Sequence, residues 1–93
     1  MTDPVYRADP PTARRAVEIE GLTLVYHRPS GLTHILAPPA PELLDALGEG
    51  QADAEALLER LARNHDIEAD SDARAEAEAR LAELEAAGLV WRA

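Results

Sequence analysis

Ninety-three residues suffice for one domain with a single modest core, and with no Phe and only Tyr6, Tyr26 and Trp91 as aromatics that core must be largely aliphatic. The absence of cysteine excludes disulfides, thiolate zinc sites and a catalytic thiol, and no stretch approaches the ~20 apolar residues of a membrane span or forms a secretory signal, so a cytoplasmic protein with no membrane partner is expected. The net charge of -9 lies wholly in the second part, where residues 38–93 carry five Arg and fourteen acids against four of each in residues 1–37, so a nucleic-acid partner is not expected and the acidic part reads as a solvated surface or a dock for a basic partner.

Residues 1–12 hold Pro4, Pro10 and Pro11, which argue against regular hydrogen-bonded structure and predict an extended N-terminal arm ahead of a domain over residues 13–93. Strand signals begin near Arg14. Val17 and Ile19 alternate with Glu18 and Glu20, Glu20-Gly21 makes a tight turn, and Leu22, Leu24 and Tyr26 alternate with Thr23, Val25 and His27. Pro29-Ser30-Gly31-Leu32 forms a second turn before a third strand, Thr33-His34-Ile35-Leu36-Ala37. With Ile19 opposite Leu22 and Arg28 opposite Thr33, Tyr26 faces Ile35 and Leu24 faces Ala37. One face then gathers Val17, Ile19, Leu22, Leu24, Tyr26, Ile35 and Ala37 as the expected buried side, leaving Val25, Leu36, Thr23, His27 and His34 on the other.

Pro38 and Pro39 end the sheet, and the remainder reads as three helices. The first spans Glu42 to Leu47, between Pro41 and a Gly48 cap. The second is capped by Asp53 and carries Leu57, Leu58 and Leu61 on one face until Asn64-His65-Asp66 breaks it. The third starts at Asp70, Ser71 or Asp72 and runs to Ala87, where Gly88 stops it and Leu89 folds back on Leu84. Leu89-Val90-Trp91 reads as a short extended tail. The fold class expected is α+β: a three-stranded antiparallel meander followed by three helices.

In such a meander the first and third strands are edges. The first carries Arg14, Arg15, Glu18 and Glu20, whereas Thr33 to Ala37 lacks both charge and internal proline, so its backbone can accept a further strand, unless the third helix or the arm covers it. With Ile35 facing Tyr26, His34 and Leu36 are expected to direct their N–H groups outward.

The element order, together with Leu24-Val25-Tyr26, Pro29-Ser30-Gly31, His34-Ile35-Leu36, Leu43-Leu44, Gly48-Glu49-Gly50 and the run from Leu81 to Val90, resembles the PqqD-like family, small chaperones that bind leader peptides of ribosomally made, later modified peptides. The fuller likeness is to the subgroup found with a kinase related to HPr kinase. The resemblance implies a winged-helix-like fold and a leader or precursor peptide added to the third strand and flanked by the third helix. It implies a nearby-encoded modifying enzyme as second partner. Carried over, the peptide site comprises Thr33, His34, Ile35, Leu36 and Ala37 with Arg74, Ala77, Arg80, Leu81 and Leu84. The chain departs from the better-known members at Ala37-Pro38-Pro39, where a polar residue is usual, and at Gly48-Glu49-Gly50, where an Asp-Gly turn is usual.

No constellation argues for catalysis, a cofactor or a metal. His27 and His34 would pair across the second hairpin and need a distant third ligand. Ser30 and Ser71 stand in no order that implies a triad, and Glu76, Glu78, Glu83 and Glu85 suit a solvated helix face on which Arg74–Glu78 and Glu76–Arg80 pair at i,i+4. A non-enzymatic peptide adaptor is therefore expected. The alternative is a winged-helix-type regulator or structural subunit using the same edge for homodimerisation or DNA binding.

Overall fold

The computed structural model of the chain describes residues 3–65 and 70–93, the side chain of His65 excepted. In chain order the elements are β1 (Val5–Ala8), β2 (Arg14–Ile19), β3 (Leu22–His27), β4 (Leu32–Leu36), α1 (Ala40–Leu47), β5 (Ala52–Asp53), α2 (Ala54–His65), α3 (Ser71–Ala86) and β6 (Val90–Arg92). The α+β class, the antiparallel meander and the three helices all stand. Two sheets are present rather than one, with strand orders β2-β3-β4 and β5-β1-β6.

The second sheet corrects the reading of the arm. Pro4 and Pro10 flank β1 without entering it, so every residue of Val5–Ala8 keeps its N–H, and the strand pairs with β5 on one side and β6 on the other. Tyr6 is pinned between Ala52 and Arg92 and is buried in the core, with the Arg92 guanidinium 5.9 Å from its ring centroid. The extended tail expected at Leu89-Val90-Trp91 is thus a paired strand over its last part.

In the meander the first hairpin has the expected register, Val17 opposite Leu24 and Ile19 opposite Leu22. Glu20 (φ 51°) and Gly21 (φ 81°) both lie in the left-handed region, the conformation whose twist suits a two-residue hairpin. The second hairpin is displaced. Tyr26 faces Thr33, Leu24 faces Ile35 and His27 faces Leu32, so His27 and His34 do not pair. The loop occupies residues 28–31 instead of 29–32 because Gly31, at φ 71°, takes its last position and donates its N–H to the His27 carbonyl at 2.8 Å.

Which face is buried is the larger correction. Val25 is 2% exposed, His27 is buried and Leu36 packs against the core, whereas Val17 (48%), Ile19 (51%), Leu22 (42%), Tyr26 (42%) and Ile35 (67%) face solvent and Ala37 is exposed. Alternation defines two faces but does not say which one the helices cover, and here both carry apolar residues. The helices close their core mainly on themselves and the second sheet. Leu43, Leu44, Leu47, Leu57, Leu58, Leu61, Leu81 and Leu84 join Tyr6, Leu89 and Val90 in one cluster.

The helix ends follow local chemistry. Asp53 Oδ1 accepts from the Ala56 N–H and Asp70 Oδ1 from the Ala73 N–H, each at 2.8 Å, which satisfies first-turn donors of α2 and α3. Helix α1 begins at Ala40, ahead of the expected Glu42, with Pro41 in its first turn where no N–H is needed. At the end of α3, Leu89 N–H bonds the Leu84 carbonyl and Gly88 N–H (φ 78°) the Glu85 carbonyl, both at 3.0 Å, which turns Leu89 back into the core. Among the described residues no helix is long and apolar enough to cross a membrane.

Candidate functional site: the β4 edge and the hollow beside α3

Hydrogen-bond alternation determines what β4 offers a ligand. The Arg28 N–H donates to the Ala13 carbonyl at 2.8 Å, in phase with the tight turn at Ile19 and Leu22, so the even-numbered residues of β3 bond toward β2 and the odd-numbered ones toward β4. Thr23, Val25 and His27 lie opposite Leu36, His34 and Leu32, which therefore bond inward. Thr33 and Ile35 direct their N–H and C=O groups away from the sheet. This reverses the expectation for His34 and Leu36, because the backbone direction follows from the hydrogen-bonded pair at the turn and not from the face a side chain occupies. Among the described residues no strand pairs with this edge.

Of the strand residues proposed from the sequence, Thr33, Ile35 and Ala37 are exposed on the outer side, while His34 and Leu36 are half-buried on the inner side. The helix residues divide differently. Ala77, Leu81 and Leu84 are at most 1% exposed and form the core; Leu81 and Leu84 support the site from beneath and cannot touch a ligand, and Ala77 meets one only through the wall of the hollow described below. Arg74 points to the opposite side of α3. Its guanidinium bonds Glu78 at 3.1 Å and Asp3 at 3.2 Å and lies 4.0 Å from Glu55, and those hydrogen bonds, Glu78 first and then Asp3, hold it more firmly protonated than an ordinary arginine. Arg80 is half-buried and pairs with Glu83 at 2.9 Å instead of Glu76.

Sequence reasoning missed a hollow of about 270 Å³ directly beyond β4, lined by Pro38, Pro39, Leu58, Leu61, Ala73 and Ala77 with the carboxylates Glu42 and Glu76. Its signal was present in the Pro38-Pro39 break, which reads as a strand terminator and also forms an apolar wall. Two buried polar atoms near these elements, His34 Nε2 on β4 and Arg80 Nε on α3, have no hydrogen-bond partner among the described residues. Such atoms each forfeit about 1–3 kcal/mol of solvation without recompense.

A separate polar chain joins the arm to the meander. His27 Nε2 lies 2.7 Å from Asp9 Oδ2 and His27 Nδ1 lies 2.8 Å from Ser30 Oγ. The fold thus assembles an Asp–His–Ser sequence of contacts that linear order did not suggest. Ser30 Oγ also accepts from the Leu32 N–H at 3.3 Å, and the neighbouring Gly31 N–H is spent on the His27 carbonyl, so the donors beside Ser30 serve the turn rather than a developing oxyanion. Arg14 completes the clasp by donating to the Leu44 carbonyl at 3.2 Å and to Asp45 at 3.4 Å, tying β2 to α1. Among the described residues no group of three His, Asp or Glu side chains is placed to hold a metal ion.

No family model matches the chain, and neither a curated protein nor a solved structure proves similar to it.

Proposed function

We propose that this chain is a non-catalytic, cytoplasmic peptide-binding adaptor with a winged-helix-like domain of PqqD type. It takes up a leader or precursor peptide as an additional strand on β4 and presents it to a modifying enzyme. The observation that carries this reading is the outward-directed backbone of Thr33 and Ile35 on an edge without charge or internal proline and, among the described residues, without a covering strand. Main-chain hydrogen bonds supply affinity in that mode, and alternate side chains supply selectivity.

A strand laid antiparallel on β4 would set every second side chain on the inner side, toward His34, Leu36 and the hollow walled by Pro38 and Ala73. The intervening side chains would lie beside Thr33 and Ile35. The carboxylates Glu42 and Glu76 at the hollow give this inner side a polar preference beside its apolar walls. The acidic helices disfavour a phosphate backbone and leave a peptide as the ligand whose chemistry fits.

The test is titration calorimetry of the full chain against short precursor peptides encoded beside its gene. Saturable one-to-one binding is expected, with loss of affinity when alternate peptide amides are N-methylated. Binding that is indifferent to N-methylation at every position rules out strand addition.

A further inference from the structure

The outer face of the meander is the largest feature that peptide capture at an edge leaves unused. Val17, Ile19, Leu22, Tyr26 and Ile35 stand there at 42–67% exposure around a half-buried Leu24, with pairing that makes them one contiguous patch across all three strands. Five large side chains about half exposed present on the order of 400 Å² of apolar surface, as large as the main patch of a typical monomer and of the size that marks an interaction site.

Its charges are arranged by end. Arg15 lies on this face opposite Tyr26, and Arg28 is next in the same alternation. Neither has a salt-bridge partner among the described residues. At the far end of the strands the tip of the first hairpin carries Glu20. No acid of β2, β3 or β4 lies on this face, because Glu18 alternates onto the inner side with Arg14 and Ala16.

We propose that this face is the contact between two copies of the chain, stacked sheet on sheet about a two-fold axis that lies in the interface and runs across the strands. An axis parallel to the strands would superpose the two arginine ends and repel. The axis across the strands reverses strand direction, so Arg15 and Arg28 of one copy meet Glu20 of the other, twice by symmetry. Apolar sheet faces pack in this way about 10 Å apart with strand directions within about 30°. With Arg15, Arg28, Thr33 and Glu20 added, each copy buries roughly 700 Å², close to the ~800 Å² per partner of a standard-size interface. Area alone does not fix affinity, and interfaces of this size range from micromolar to picomolar; two faces left half exposed in the monomer, with few buried hydrogen bonds, belong at the micromolar end. In this arrangement β4 lies over β4, so both edges remain open on the same side of the assembly.

Sedimentation equilibrium of the full chain from roughly 1 to 300 µM reads the proposal directly, since this range covers micromolar dissociation constants. A reversible monomer–dimer equilibrium is expected. Ile19→Glu and Ile35→Glu should each weaken it at least about tenfold without lowering the melting temperature of the dilute protein, because both side chains are solvent-facing in the monomer. Arg15→Glu should weaken it similarly, and Arg15→Glu combined with Glu20→Arg should restore it to within about threefold of the parent. A parent chain that stays monomeric at the highest concentration overturns the proposal, as does a dimer indifferent to both glutamate variants. Failure of the combined charge reversal to recover affinity overturns the two-fold arrangement.

Discussion

Proline placed at adjacent positions of β4 separates the edge from the sheet. His34 bonds inward to Val25, so His34→Pro deletes a ladder hydrogen bond and drives the pyrrolidine ring into a half-buried position. By analogy with proline inside regular structure the cost is about 3 kcal/mol. For a domain of this size each kcal/mol moves the melting temperature by roughly 4–8 °C, so a drop of about 12–24 °C is expected. Ile35 is 67% exposed and its N–H points to solvent, so Ile35→Pro removes no bond within the sheet and should cost under about 1 kcal/mol, a shift of a few degrees. Binding inverts the ranking. The Ile35 N–H is the donor an added peptide strand must use, and its loss should weaken a verified peptide at least about tenfold by calorimetry. Melts followed by circular dichroism give the stability half of the comparison. If Ile35→Pro unfolds the protein as severely as His34→Pro, the ladder phase assigned to β4 is wrong. If it stays folded and binds as tightly as the parent, strand addition at this edge is wrong.

Further perturbations test the scaffold around the site. Tyr6→Ala empties the centre of the second sheet and should destabilise by about 3–5 kcal/mol in chemical denaturation, whereas an arm that merely dangled would lose nothing measurable. Asp70→Ala removes the α3 cap and should cost about 1 kcal/mol, and Gly88→Ala, at φ 78°, a similar amount. In contrast, Glu20→Asn should raise stability by a few tenths to about 1 kcal/mol, because asparagine tolerates the left-handed conformation at φ 51° better than glutamate. Thermal melts at low protein concentration distinguish this gain from any change in self-association.

Much of the architecture was legible because it is written locally. The Glu20-Gly21 turn, the Asp53 and Asp70 caps and the Gly88 stop each depend on a residue or two of known chemistry, and each falls where the spacing puts it. What escaped was non-local. Strand β5 has two residues and β6 three, too short for any periodicity, and β1 becomes a strand only because residues 52–53 and 90–92, far along the chain, supply its partners. The orientation of the meander was inverted for a related reason. Val25 and Leu36 are outnumbered by the large apolar residues of the other face, yet they are the ones turned inward toward the leucine-rich helices. At the site, the edge strand could be found from its lack of charge. The hollow between Pro39 and Ala73 required the packing of three helices, and the burial of Leu81 and Leu84 removed residues that helical spacing alone offers to a ligand.

The position of β1 also sets an order of events during synthesis. Its partner β6 lies at residues 90–92, and the Ala93 N–H closes on the Val5 carbonyl at 2.8 Å, so the second sheet is completed only after residues 90–93 have left the ribosome. The meander pairs residues close in sequence and can form while the helices are still being made. Its apolar outer face is therefore displayed on the nascent chain before the leucine core exists to bury anything else. Exposed apolar surface of that kind makes a partly folded chain prone to association during synthesis.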